Sequence, residues 1–454
     1  MKIDAQRFFP YPFRDEEQRR VCQLIIDNFH DYDVFGLILP VAFGKTAIGK
    51  MIMNYSNYLG LPAGIVAPDN ALVRQGKDEF PDLAMLGLKS SFPNEGAFIR
   101  AKEEAINGPQ SIINPYTLLA NRVYKPVVIF DEAHMLERTL QDLGGLIVWE
   151  GSKQWHPGLQ NITQAIVHFS KFDDAKSKKL VQTLAKKPDE FCLAYGSDLL
   201  RGQEKRQLRV YQLTPKNERP VLWPPNRTKK LFFMSATLSR KDIEELGADR
   251  GKRVMMIHAR SSIPVQRRRF VCDFIGDMTF GNTQRLMPKA IDKIFECMDE
   301  YPTERGFIHA TYPMASRIRG LMGTGPEDRL RFHTKYDKRD SLSDFMTIDG
   351  PEDNRVFVGS GLAEGLNLKY DLARWQVILQ CQSPSLADPA VARKVQLDPE
   401  WYDWVTIRTV LQAHGRVSRA PDDFGETRML DRRFSRIYNR RRHLFPEWFT
   451  ECVS

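Results

Sequence analysis

Residues 37–50 read LILPVAFGKTAIGK. An apolar run, Leu37-Ile38-Leu39, meets Pro40, then Gly44-Lys45-Thr46, then residues able to start a helix. A loop that holds phosphate needs a buried strand, a turn with inward backbone N–H groups, and a helix N-terminus facing the anion. Phe35 to Leu39 supply the strand, Pro40 to Gly44 the loop, and Lys45 to Met53 the helix. In such a loop the lysine reaches the outer phosphates and the Ser/Thr hydroxyl binds Mg2+. The full G-x-x-x-x-G-K-[ST] pattern is not met, because Leu39 stands at its first glycine. Alone, the stretch leaves a plain strand-turn-helix open, and the rest of the chain has to decide.

The chain has 454 residues, enough for two or three domains of roughly 100–200 residues each. Apolar residues make up 42% and charged residues 27%, the balance of a globular protein. No apolar run is long enough to cross a bilayer, and the proline-broken, charged start MKIDAQRFFPYPFRDEE is no secretory signal. The six cysteines form no CxxC pair and no zinc-type cluster, which suits reduced thiols in a cytoplasmic protein with no membrane partner. The net charge of +9 favours a polyanion such as nucleic acid, although a basic surface without such a partner has the same charge.

Three further stretches join the first. KPVVIFDEAHML (125–136) puts Asp131-Glu132 at the C-terminal end of the apolar strand Val127–Phe130, where open α/β sheets bind ligands. There an aspartate can hold Mg2+ through water and a glutamate can polarise the attacking water. KLFFMSATL (230–238) is a second buried strand, ending in Ser235-Ala236-Thr237. VLQAHGRVSRAPDDFGETRMLDRRF (410–434) carries Gln412, Gly415, Arg416 and Arg419 as Q-x-x-G-R-x-x-R. A continuous helix would set Gln412, Arg416 and Arg419 on one face, where paired guanidinium forks can clamp phosphate oxygens.

These four stretches in this order resemble the motor core of superfamily-two helicases, and their surroundings resemble the XPD/DinG-like group. RFFPYPFRDEEQ (7–18) is similar to its Q motif, IVAPDNALVRQ (65–75) to motif Ia and SIINPYTLLA (111–120) to the segment before DEAH. GFIHATYPMASRI (306–318) is similar to motif IV, VFVGSGLAEGLNL (356–368) to motif V, and DDFGETRMLDRRF (422–434) to the D-x-G-x-x-x-x-x-D-x-R of the group. The resemblance implies an α/β fold of two RecA-like parallel-sheet domains. The first would comprise residues 1–137 and 229–258, a small helical, arch-like insertion 138–228, and the second domain 259–454. The insertion's lysines, Lys176 and Lys179 among them, line a nucleic-acid path or form a solvated face.

The resemblance also implies roles. Lys45, Asp131, Glu132, His134, Gln412, Arg416 and Arg419 would be catalytic. Arg14, Gln18, Pro40, Phe43, Gly44, Lys45, Thr46, Ala47, Glu364 and Gly365 would hold ATP, with Arg14 and Gln18 on adenine. Thr46 and Asp131 would hold Mg2+. Arg416 and Arg419 would serve as arginine fingers from the second domain. Nucleic acid would meet Pro68, Asn70, Asn114, Tyr116, Ser235, Thr237, His309 and Tyr312. The implied function is an ATP-dependent DEAH-type helicase or translocase, monomeric, loading on single-stranded DNA and moving 5′ to 3′. A translocase or annealing motor that does not unwind, and an RNA helicase, are the alternatives.

Four departures stand out. Ala42 replaces a usual loop glycine, and Asn367 replaces a usual motif V aspartate. No cysteine lies between Ile65 and Asp131, where relatives carry four for an iron–sulfur cluster. Such a cluster needs thiolate ligands, so none is expected. The insertion is shorter than the family's arch, and so compact a chain suits a phage or mobile element.

Overall fold

The computed structural model describes residues 3–87, 89–200, 203–214, 221–321, 329–360 and 368–454. The chain forms two compact units, residues 1–259 with 386–393, and residues 260–385 with 394–454. That the short segment 386–393 belongs to the first unit was not legible in the sequence. No helix among the described residues is long and apolar enough to cross a membrane.

The first unit is built on the strands β1 (Val34–Ile38), β2 (Ala63–Val66), β3 (Ala84–Leu86), β4 (Gln110–Ile113) and β5 (Val127–Phe130). After the insertion, which carries β6 (Leu146–Trp149), β7 (Phe191–Leu200) and β8 (Gln203–Gln212), the chain returns as β9 (Lys230–Ser235) and β10 (Val254–His258). The seven-stranded sheet has the order β10-β1-β9-β5-β2-β4-β3, and its paired strands run parallel. Helices cover both faces of such a sheet, so its strands read as unbroken apolar runs. Every residue of β1, β2, β4 and β5 is buried. Phe35 and Phe232 stack across β1 and β9 with ring centroids 4.7 Å apart. β9 lies between β1 and β5, so Ser235 sits between the turn 40–44 and DEAH.

The insertion is not helical but mixed. β6, β8 and β7 form an antiparallel sheet in that order, and the helices Ile162–Phe169 and Ala175–Lys186 pack on it. The lysine-rich stretch does make the second of these helices. The strands escaped because period-two alternation, Phe191/Leu193 and Leu208/Val210 turned inward, is diluted by the charged residues of QEKRQLRVYQ. Pairing Leu193 with Val210 and Tyr195 with Leu208 makes these side chains cross-strand partners, and no local pattern states that.

The second unit has β11 (Arg268–Gly276), β12 (Gly306–Ala310), β13 (Leu330–Phe332), β14 (Val356–Ser360), β15 (Trp375–Ile378) and β16 (Gly425–Asp431). They form a parallel six-stranded sheet in the order β11-β16-β15-β12-β14-β13. The long helix Phe280–Glu300 packs its apolar side into this unit's core. Asp431, the second aspartate of the D-x-G motif, is fully buried. Its carboxylate accepts from the backbone N–H groups of Met278, Cys381 and Arg433, so it pins three loops at the strand ends.

Candidate active site

Residues 40–44 form the turn between β1 and the helix Lys45–Tyr58. Gly44 has φ +85°, and a Cβ there would stand 3.0 Å from the Gln18 amide nitrogen, so this position needs glycine. Ala42 also adopts a positive φ, 63°, which is strained for a residue with a Cβ; a glycine there would carry no such strain. Two side chains from the start of the chain grip this loop. Gln18 donates to the Phe43 carbonyl at 3.0 Å and accepts from the Arg14 N–H at 3.0 Å. Arg14 donates to the Ala42 carbonyl at 2.5 Å. Both polar atoms of Gln18 are thus engaged in bracing the loop. Phe43 is buried.

Lys45 forms an ion pair with Glu132. Asp131 and Glu132 follow β5, with Glu132 in the left-handed region at φ 45°, a strained backbone of the kind found at functional sites. Burial, then the neighbouring Glu132 charge, pushes the Asp131 carboxyl up. Burial also acts on Glu132, but Lys45 and His134 outweigh it and hold this carboxyl well below the usual range. The pair is therefore divided, with Glu132 the firmly ionised member. His134 Nδ1 lies 2.9 Å from Ser235 Oγ and 3.3 Å from Glu132 Oε2. Ser235 Oγ in turn accepts from the Thr237 N–H at 3.2 Å. DEAH and the end of β9 are thus one hydrogen-bonded unit.

Thr46 hydrogen-bonds to Glu79, whose carboxyl is raised by burial. A cavity of about 30 Å³ is bounded by Thr46, Asp131, Gln75 and apolar residues from β2 and β4. Such a volume holds one water or ion. Hydroxyl and carboxylate oxygens suit Mg2+, which keeps most of its waters and takes few protein ligands, so Thr46 and Asp131 fit the ion.

Of the residues expected on nucleic acid, Asn114 is buried, donates to Asn70 at 2.6 Å and caps the helix Pro115–Asn121. Pro68 lies between β2 and the helix Asn70–Glu79. Tyr116 is 49% exposed and Tyr312 40% exposed. His309 is buried and bonded to Gln376. Glu364, Gly365 and Asn367 lie outside the described residues.

The shared helical face expected for Gln412, Arg416 and Arg419 is not formed. The helix Pro399–His414 stops at Gly415, so both arginines lie in the following turn. Asp423, fully buried and paired with Arg374 at 2.8 Å, accepts from the backbone N–H of Arg419 and of Tyr370. That anchor makes the turn. Arg416 donates to Gln412 at 2.9 Å and Arg419 to the Gly415 carbonyl at 2.7 Å.

Comparison with known proteins adds to this geometry. Residues 307–452 match the helicase C-terminal domain family. An apo XPD structure superposes on 96% of this chain and 98% of its own, with TM-score 0.62 and 13% identity. An XPD helicase structure gives 97%, 98%, 0.62 and 12%, and Xpd4 of S. tokodaii 94%, 97%, 0.54 and 12%. The fold is that of an XPD-type helicase. A search of curated protein sequences finds no match.

Within this XPD-type fold the second unit holds a buried polar chain that sequence reading missed. The Gln376 amide nitrogen donates to the His414 carbonyl at 3.1 Å and to Thr427 Oγ1 at 2.7 Å. Its oxygen is then the acceptor for His309 Nε2–H at 2.9 Å. Thr427 Oγ1 also lies 2.9 Å from His414 Nδ1, and His414 Nε2 lies 3.5 Å from Cys452 Sγ. These residues are scattered over strands and a helix, and no spacing signals them. Burial lowers His309 to about 4 and His414 to about 3. Both values lie below the unfolded 6.5, so their contribution is complete above that pH and is lost as pH falls toward the folded values. Stability is expected to fall between pH 6.5 and 5 by about 1 kcal/mol per pH unit for each histidine. Denaturant melts of the full chain at pH 7, 6 and 5 check this, and a flat profile would contradict it.

Proposed function

We propose that the chain is an ATP-driven DEAH-type nucleic-acid motor that loads on single-stranded DNA and moves 5′ to 3′. The observation that carries the reading is the meeting of Lys45, Thr46, Asp131, Glu132, His134 and Ser235 at the carboxyl ends of β1, β5 and β9. Backbone N–H groups at the start of the helix Lys45–Tyr58, with Lys45, bind the triphosphate. Thr46 and Asp131 would hold Mg2+, which supplies charge neutralisation at the β- and γ-oxygens. Glu132 orients the attacking water and takes its proton. The His134–Ser235 bond links the state of the carboxylate to the end of β9. In this reading Arg416 and Arg419 are the arginine fingers that the XPD/DinG resemblance implies, and the single-strand preference and polarity follow from the same resemblance. The proposal includes no iron–sulfur cluster, and it takes the motor as a cytoplasmic monomer.

The test is steady-state ATP turnover without nucleic acid and with single-stranded DNA, single-stranded RNA or duplex DNA, beside Lys45→Ala. Stimulation of about ten-fold or more by single-stranded DNA, absent in Lys45→Ala, is expected, since losing phosphate-loop contacts costs several kcal/mol of transition-state stabilisation. Turnover indifferent to every nucleic acid would overturn the motor reading. Stimulation by RNA alone would reassign the track. Tailed duplexes then read polarity.

A further inference from the structure

Where the insertion meets the first unit's sheet there is a cavity of about 220 Å³. An engineered apolar cavity of about 150 Å³ takes benzene, so this one has room for a fused two-ring system. Its walls are apolar, with Leu140 from the helix after DEAH, Phe191 from β7, and Trp223. Two polar groups face it from the sides. Gln212, 1% exposed, places its amide beside Gly144, with its nitrogen a marginal 3.5 Å from Glu190 Oε2. Thr183 lies opposite on the helix Ala175–Lys186.

At the rim the same helix presents Lys176 and Lys179. Lys176, Lys179 and Thr183 are three and four residues apart, one stripe of a helix. Their neighbour Lys178 is paired with Asp173 at 2.6 Å, whereas no ion pair joins Lys176 or Lys179 to a carboxylate among the described residues. An apolar slot with an amide at its side and two uncompensated ammonium groups at its mouth matches a flat heteroaromatic base carrying a phosphate. Apolar walls take the ring, the amide takes its edge, and the lysines take the anion.

We propose that this cavity is a second nucleotide site, separate from the phosphate loop, with the base against Trp223 and the phosphate on Lys176 and Lys179. The site does not depend on the motor reading. Its position gives it a route to the catalytic strand, since Trp223 packs edge-on against Phe130, the residue before Asp131, at 5.3 Å. The helix Leu136–Gly144, which begins two residues after His134, lines it as well.

The test titrates 2-aminopurine 5′-monophosphate by its fluorescence into the full chain, with the phosphate loop saturated by a non-hydrolysable ATP analogue. A parallel arm uses a DNA trinucleotide with 2-aminopurine between two abasic positions. Binding in either arm is expected, weakened by about ten-fold or more in Lys176→Glu/Lys179→Glu, the cost of losing charged hydrogen bonds. Thr183→Phe, which fills the cavity from a half-exposed helix position, is expected to abolish it. Thermal melts check that both variants fold. Binding of the monophosphate assigns the site to a free nucleotide, and binding of the trinucleotide alone assigns it to a strand. No binding in either arm, binding that disappears when the ATP analogue is added, or binding that both folded variants retain, would overturn the proposal.

Discussion

Glu132→Gln is expected to cut ATP turnover by about a hundred- to ten-thousand-fold, the usual contribution of a positioned general base, while nucleotide binding is kept or improved. The neutral amide retains the shape of the side chain but cannot take the proton of the attacking water. The binding half of the prediction comes from the ion pair of Lys45 with Glu132. A triphosphate must compete with this carboxylate for the lysine. Both side chains are partly exposed, 20% and 25%, so the competition is modest, and its removal should tighten ATP binding by up to about five-fold. Lys45→Ala should behave oppositely and lose binding together with turnover. Equilibrium titration with a fluorescent ATP analogue, beside turnover measured on single-stranded DNA, separates the two variants. Near-normal turnover in Glu132→Gln would remove this residue from the chemistry.

Asp353→Ala should destabilise the second unit by about 3–5 kcal/mol, the cost of leaving a buried charge without its partner. Arg305 precedes β12 and Asp353 closely precedes β14, and these strands are neighbours with Gly306 opposite Val356. The Arg305 and Asp353 side chains, each 1% exposed, pair at 3.2 Å. The Arg305 guanidinium also lies over the Phe345 ring, 4.2 Å from its centroid. Arg355 adds a two-pronged contact to the same carboxylate at 2.9 and 2.8 Å. Burial works to raise the Asp353 carboxyl, but the Arg355 bonds outweigh it and hold it well below the usual range. Since the folded value is depressed, the contribution is complete at neutral pH and fades only in strong acid. Denaturant unfolding of the full chain measures the loss. The double variant Arg305→Met/Asp353→Leu should recover part of it, because it removes the buried Arg305 charge, while Arg355 loses its Asp353 contacts and keeps Asp344 at 3.2 Å. A wild-type melt for Asp353→Ala would refute the account.

The sequence by itself determined the local chemistry of this protein. Pro40 to Thr46 and Val127 to His134 were legible because a buried strand, a tight turn and a helix start are short-range events, encoded by apolar runs, Gly44 and acidic residues at a strand end. The parallel α/β character followed from the same runs. Tertiary structure decided what depends on distant partners. It put β9 between β1 and β5, which joins His134 to Ser235 across 101 residues. It turned the chain after His414, because Asp423 captures the Arg419 N–H, and so removed the helical face expected for the arginines. It made a sheet of the insertion, where only cross-strand pairing reveals which side chains are inside. The Arg305–Asp353 pair and the Gln376 network are of the same kind. Each member is an ordinary polar residue in sequence, and burial beside a partner far along the chain makes it decisive.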